Sequence, residues 1–426
     1  MIPSLPLPPL PCPPSWFPGH MNRFTKQLPA LLSRTDIVLE LRDSRLPLTS
    51  INHNFEGAIS KWRAERGKQS SLLRPPSHET PGPSGHGGFT CERIVVLNKR
   101  DLVPEWGMEP FRRAIAARFP EQIIHFAACN RREDIKSLSK LLVSIAKRNP
   151  HATETNVLVV GMPNVGKSTL LNSLRSFGIS GPTPKALQTS AQPGHTRALS
   201  NRLKLSQDPL VYSYDTPGVM LPFLGRGDEG AERGVKLALI AGIKEGLYDV
   251  QALVAYLLYR MNILDPVCPA YLKVLPPGTS PTSDTDAFLE QLARRLGMLV
   301  RGGECDTERA SKWFVEWWRK EGGLISAAAP RPSPSSTPSD GVSARRGWGF
   351  DLEWSMASHE AVPPPHTESF VEQKMGECID EYLERTADYE RLGGTISETQ
   401  LKKRTWEEKL AQRAARSKAK AIARRR

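Results

Sequence analysis

The chain contains no run of eighteen apolar residues, which argues against a membrane-spanning helix and leaves only peripheral association with a membrane open. Cysteine is sparse. Cys12, Cys91, Cys129, Cys268, Cys305 and Cys378 lie far apart and form no C-x-x-C pair. That spacing speaks against a zinc site and against a disulfide framework, and it suits a reducing compartment. Acidic residues are absent from the first 35 positions, as in many organelle transit peptides. Residues 1–15, however, are proline-rich and hold no Arg, which a mitochondrial presequence normally carries, so this leader gives targeting only weak support.

What is present is a basic chain of 426 residues with 39% hydrophobic content, enough for two or three domains with real cores. The net charge of +13 is concentrated at one end. Residues 401–426 hold eleven Lys/Arg against two Glu, about +9, which leaves about +4 for everything before them. So dense a basic tail suits a polyanion such as RNA; a solvated helix end is the alternative reading.

Short apolar runs alternate with helical patterns through the first 260 residues. Ile37–Leu41, Arg93–Leu97, Gln122–Phe126, Val157–Val160 and Leu210–Tyr214 read as strands, with helices around Phe111–Phe119 and Ile135–Ala146. This alternation predicts a mostly parallel sheet covered on both faces. The chain divides into a Pro-rich leader at 1–15, an α/β domain at 16–265, a helical domain at 280–395 and a basic tail at 396–426. Flexible insertions are expected at 66–90 and 328–345, where Ser, Pro and Gly accumulate. In the helical domain Asp284 begins a helix that stops at Gly297, and Asp306 caps another running through Glu321. Trp313, Phe314, Trp317 and Trp318 share one side of the latter and read as core, with base stacking as the lesser alternative. Val371, Met375, Ile379 and Leu383 keep helical spacing further on.

Four motifs carry the chemistry. Gly161-Met162-Pro163-Asn164-Val165-Gly166-Lys167-Ser168-Thr169 follows a strand and precedes a helix, the setting of a phosphate-binding loop. Its glycines let backbone N–H groups curl round phosphates, Lys167 reaches the β- and γ-phosphates, and Ser168 binds Mg²⁺. Asp215-Thr216-Pro217-Gly218 follows its own strand: Asp215 would hold Mg²⁺ through water, and Gly218 would offer its N–H to the γ-phosphate. Thr196, in the polar loop Lys185–Arg197, is the candidate switch threonine that closes on Mg²⁺. Asn98-Lys99-Arg100-Asp101 selects the base, because the Asp101 carboxylate can accept two hydrogen bonds from guanine and none from adenine. Asn98 braces that loop and Lys99 lies along the ring. Phe126–Asn130 sits where a second guanine loop belongs but lacks the customary Ser-Ala pair. The guanine reader precedes the phosphate loop, the reverse of the usual order, which points to a circularly permuted P-loop GTPase domain followed by a small all-α domain and a basic helical tail.

With these motifs in place, the chain resembles the bacterial ribosome-biogenesis GTPase A family and its mitochondrial relatives over roughly residues 16–325. The resemblance rests on Trp16-Phe17-Pro18-Gly19-His20-Met21 and on the D-x-x-x-E-x-x-D-x-R-x-P element from Asp36 to Pro47. It extends to Leu299–Asp306. The two insertions, the leader and the long tail depart from the compact bacterial pattern. The resemblance implies that His20 orients the attacking water, since Val219 and Met220 follow Gly218 where many GTPases place Gln. Imidazole suits that role near neutral pH; capping a helix that begins near Met21 is the alternative. It also implies K⁺ as a further ion near Asn164. The expected function is a GTP-hydrolysing switch on the large ribosomal subunit and its rRNA, in the mitochondrial matrix, with inner-membrane association open. A cytosolic or nucleolar assembly GTPase and an RNA-binding scaffold with a vestigial nucleotide site are the alternatives.

Overall fold

The computed structural model describes residues 6–72, 91–149, 152–188, 202–321, 344–356 and 367–391, apart from 15, 182 and 267, together with single positions between 402 and 413. The chain path is α1 (Gly19–Leu32), β1 (Ile37–Asp43), α2 (His53–Leu72), β2 (Glu92–Asn98), α3 (Met108–Arg118), β3 (Gln122–Phe126), α4 (Arg132–Lys147), β4 (Thr155–Gly161), α5 (Lys167–Gly178), β5 (Leu203–Ser206) and β6 (Val211–Tyr214). It continues through α6 (Gly227–Leu239), α7 (Val250–Leu264), α8 (Thr285–Leu296), α9 (Thr307–Glu321), β7 (Ala344–Trp348), β8 (Leu352–Met356) and α10 (Thr367–Arg391). No described helix is long and apolar enough to cross a membrane.

Among the described residues, six strands form one sheet in the order β3-β2-β1-β4-β6-β5. All neighbours are parallel except β5, which runs antiparallel along β6 at the edge. Parallel strands with helices on both faces are buried on both sides, and every residue of β1 is buried. The five expected strands are present; β5 is additional, and its short Leu203-Lys204-Leu205-Ser206 carries too few apolar residues to stand out.

Burying β1 means burying its charges. Glu40 bonds Arg42 at 2.6 Å and Arg93 Nε at 3.0 Å. Burial alone would push the Glu40 carboxyl up, but the two guanidiniums overcome it and hold the group below the usual carboxylate range. Asp36, at the strand entrance, accepts from Arg66 and from the Asn156 backbone N–H, both at 2.8 Å. The acidic element read from Asp36 to Pro47 is thus in part a means of ionising carboxylates inside a sheet.

The helices that follow obey their local signals. Asp284 accepts from the N–H groups of Asp286 and Ala287 at 3.0 and 3.1 Å, and α8 ends at a left-handed Gly297. Asp306 accepts from Arg309 N at 2.9 Å to open α9. Phe314, Trp317 and Trp318 are buried, and Trp313 packs against the same core half-buried.

Two features of the C-terminal region go beyond the helical expectation. Residues 344–356 form an antiparallel hairpin, β7–β8, so that strand begins where the second insertion was expected to end. The hairpin and α10 then return to the sheet. Trp348 stacks on Phe111 of α3 at 5.3 Å, meets Phe126 edge-on, and donates its indole N–H to Pro104 O at 2.9 Å. Val371, Met375 and Ile379 of α10 are buried in the same cluster, and Arg118 of α3 pairs with Asp380. The helix α2 runs to Leu72, into the first expected insertion, of which 73–90 lie outside the described residues.

Candidate functional site

Parallel strands deliver their carboxyl ends to one edge of a sheet, and a crevice forms there where the strand order reverses direction. Here the reversal falls between β1 and β4. From β1 the chain moves outward through β2 and β3; from β4 it moves the other way through β6. The loops after β1, β2, β3, β4 and β6 therefore meet at one edge. They are the turn Asp43–Arg45, Asn98–Asp101, Ala127–Asn130, Gly161–Lys167 and Asp215–Gly218.

The phosphate loop has the form its sequence requires. Gly166 is left-handed (φ +96°), and a Cβ there would lie 2.4 Å from the Asn98 amide. Helix α5 begins at the next residue, Lys167, so its positive end faces the loop. Lys167 is buried and donates to Gly161 O and Met162 O at 3.2 and 2.8 Å. Burial lowers its ammonium to about 8, with Asp215 working the other way. Ser168 Oγ donates to Asp215 Oδ2 at 2.6 Å, and burial raises the Asp215 carboxyl. Thr169 lies exposed in the first turn of α5.

Gly218 closes over this loop. A Cβ on it would sit 2.6 Å from Pro163 Cα, so only glycine permits the approach. Val219 N bonds Gly161 O at 3.2 Å, and Val219 and Met220 are fully buried. Neither could turn a polar group toward water. Met220 N also bonds Met21 Sδ at 3.4 Å, which places the start of α1 against the segment after Gly218. Helix α1 begins at Gly19, and its N-cap is Pro18. His20 therefore lies within the first turn of α1. Thr196 and the rest of 189–201 lie outside the described residues.

The guanine loop is fastened to the phosphate loop directly. Asn98 Nδ2 donates to Val165 O at 2.7 Å, and Lys99 Nζ to Asn164 O at 2.8 Å. Lys99 and Asn164 both adopt left-handed backbone (φ 60° and 59°), and Asn164 Nδ2 donates to Ala241 O at 2.8 Å. The second loop joins them. Arg100 N bonds Ala127 O at 3.1 Å, Cys129 Sγ approaches Asn98 Oδ1 at 3.4 Å, and Asn130 Nδ2 donates to Asp101 Oδ2 at 3.1 Å.

Three residues of the site had no chemistry attached to them in the sequence. Asp43, at the end of β1, is fully buried and accepts from Lys99 Nζ (3.0 Å) and from Arg45 Nε and Nη2 (2.9 and 2.8 Å). Burial opposes ionisation of Asp43, but Arg45 and Lys99 hold it far below the usual carboxylate range. Arg45 lies over the Trp318 ring at 4.6 Å, so Lys99 is tied through Asp43 and Arg45 to α9. Their only signal was the D-x-R spacing. The third, Asp134, bonds Arg100 and Ala128 N from the first turn of α4. A first-turn acid is common enough to pass unnoticed.

The residues present suit a hard divalent cation: Ser168 and Asp215 bring a hydroxyl and a carboxylate oxygen together beside the phosphate loop. Strand order, phosphate loop and base-reading loop together define a P-loop GTPase whose motifs run in permuted order.

Comparison with known proteins narrows the class. The family model described as 50S ribosome-binding GTPase matches residues 156–261. Mitochondrial GTPase 1 of Schizosaccharomyces pombe is 32% identical over 311 residues, 72% of this chain and 87% of the relative. Mitochondrial ribosome-associated GTPase 1 of Xenopus tropicalis is 29% identical over 290 residues, 66% of this chain and 80% of the relative. A solved structure, GNP-bound YlqF from T. maritima, is 20% identical, covers 70% of this chain and 94% of its own, and has a TM-score of 0.42. The chain belongs to the mitochondrial GTPase 1 family, and it is an enzyme that hydrolyses GTP.

Proposed function

We propose that the protein is a GTP-hydrolysing switch that binds the large subunit of the mitochondrial ribosome and acts in its assembly and in mitochondrial translation. The roles on this reading fall to the residues of the crevice. Asp101 accepts from guanine, Asn98 braces the base loop against Val165, and Lys99 lies along the ring. Val165, Gly166 and Thr169 present backbone around the phosphates, Lys167 neutralises them, and Gly218 meets the γ-phosphate. Ser168 and Asp215, with Thr196, would hold Mg²⁺, which supplies charge neutralisation at the transferring phosphoryl group. Asn164 stands where K⁺ would add to that charge. His20 orients the attacking water, a role that buried Val219 and Met220 leave open.

One observation supports the switch most. The segment after Asp215–Gly218 runs into α6, and both ends of α6 touch the C-terminal region. Arg226 N donates to the Tyr389 hydroxyl at 2.6 Å, and Arg319 of α9 donates to Leu239 O and Ala238 O at 2.8 and 3.0 Å. A change in the nucleotide would thus reach α9 and α10, from which the basic tail leads on. With the relatives named for mitochondria and ribosomes, this favours rRNA at that face and a matrix location.

The test is single-turnover hydrolysis with and without purified large mitochondrial subunits. Subunits should stimulate the wild type, and His20→Ala should slow the stimulated step by about 10²–10⁴-fold with GTP affinity nearly unchanged. A full stimulated rate in the variant would remove His20 from catalysis. Absence of both stimulation and co-sedimentation in the wild type would reject the ribosomal reading.

A further inference from the structure

We propose that Asp134 is a positioning residue for guanine specificity, acting through Arg100 to hold Asp101 against the base. The inference rests on the reading that Asp101 recognises guanine. Asp101 sits in a short 3₁₀ turn, Arg100–Leu102, entered through left-handed Lys99. Such a backbone is unfavourable for lysine and persists only where its surroundings over-determine it. The turn therefore needs an anchor, and the second loop, Ala127-Ala128-Cys129-Asn130, offers no hydroxyl to supply one.

Asp134 supplies it from α4. Its Oδ2 accepts from Arg100 Nε at 2.6 Å and its Oδ1 from Arg100 Nη2 at 2.8 Å, a two-point pair between planar groups. The same Oδ2 accepts from Ala128 N at 2.9 Å. One buried carboxylate thereby locks the residue next to Asp101 and the backbone of the second guanine loop into a single arrangement. Asn130 completes the clasp by donating to Asp101 Oδ2 at 3.1 Å, which aims the carboxylate. Arg100 is half-buried and lies beside the base-reading residue, not under the phosphates, so loosening it should disturb recognition of the base edge and spare the phosphate loop. Hydrogen bonds to charged groups of this kind govern about tenfold or more in affinity.

The experiment measures equilibrium binding of GTP, inosine triphosphate and xanthosine triphosphate to the full chain. Inosine lacks the exocyclic amino group that donates to the carboxylate but keeps N1–H, so the GTP-to-ITP affinity ratio reports the amino-group half of the Asp101 contact. Asp134→Asn and Arg100→Ala should each lower that ratio by about tenfold, ITP affinity falling less than GTP affinity, and the double variant should lose no more than either single. Arg100→Lys, which keeps the charge but not the two-point geometry, should fall between. Should Asp134→Asn fail to fold, the half-buried Arg100→Ala carries the test. An unchanged ratio, or equal losses for GTP and ITP, would overturn the proposal. Asp101→Asn serves as the control: if it leaves the ratio at the wild-type value, the base-reading assignment fails first; if it moves the ratio while Asp134→Asn and Arg100→Ala do not, only the clasp is refuted.

Discussion

The two halves of the nucleotide crevice are built by different means. On the phosphate side, recognition comes from backbone: a left-handed Gly166, a Gly218 close enough to touch Pro163, and one buried lysine at a helix start. On the guanine side it comes from side chains held by other side chains. Asp43 holds Lys99, Asp134 holds Arg100, and Trp348 covers α3 from far along the chain. Backbone recognition is local and is written in a contiguous motif. Side-chain recognition borrows its rigidity from elements far away in sequence. The phosphate loop and α5 should accordingly withstand changes in the β7–β8 hairpin, and the guanine half should not.

The largest expected difference between the halves falls at Trp348. Its indole is 1% exposed, stacked on Phe111 and bonded to Pro104. Trp348→Ala should destabilise the fold by about 3–5 kcal/mol, as large cavities in aromatic clusters do. Chemical denaturation would show the loss, and hydrogen exchange should place it in α3 and β3, not in α5. Equal loosening of α5 would mean the halves are not mechanically distinct.

Next in size is the base itself. Asp101→Asn replaces one acceptor with an amide donor that faces guanine's own donors, at a cost of about 1–3 kcal/mol. Competition binding should show weaker GTP and improved xanthosine triphosphate, with discrimination against ATP reduced. Retention of wild-type GTP affinity would remove Asp101 from the base contact.

The smallest effect concerns pH and belongs to the phosphate half. Burial lowers Lys167 to about 8, below its ordinary 10.5. Below pH 8 the group is already charged, so GTP affinity should be flat. Above it, binding must take up a proton, and affinity should fall by up to about tenfold per pH unit. The stability of the protein without nucleotide should move oppositely: the unfolded chain binds more protons between 8 and 10.5, so this group favours folding as pH rises through that window. Isothermal titration across pH 7–10 in wild type and Lys167→Arg, whose guanidinium does not titrate there, isolates the effect. Identical profiles would assign the slope elsewhere.

Much of the crevice was legible because its signals were local. Val157–Val160 running into a glycine loop needs no distant information, and the permuted order follows from reading motifs along the chain. The capped helix Asp284–Gly297 was readable for the same reason. What escaped depended on burial. Asp43 and Arg45 stood out only by their spacing in the element from Asp36 to Pro47; their ion pair could not be read until β1 proved buried along its whole length. Ala344-Arg345-Arg346-Gly347-Trp348 has no alternation of apolar and polar residues, so nothing in it announced a strand. The apolar stripe Val371–Ile379 marked a helix but could not say against which surface it lies; the facing residues, Phe111 and Ile115, sit on the opposite side of the sequence.

Helix α6 is a beam between the crevice and the C-terminal region. Its first residues hang from Tyr389 and its last from Arg319, two mountings on separate elements of the C-terminal region. A beam carried at both ends cannot tilt without shifting a support. On the proposed switch reading, a displacement begun at Asp215–Gly218 would appear outside the crevice, as work done on α9 or on α10, and force applied to either helix from outside would return along the same beam to the phosphates.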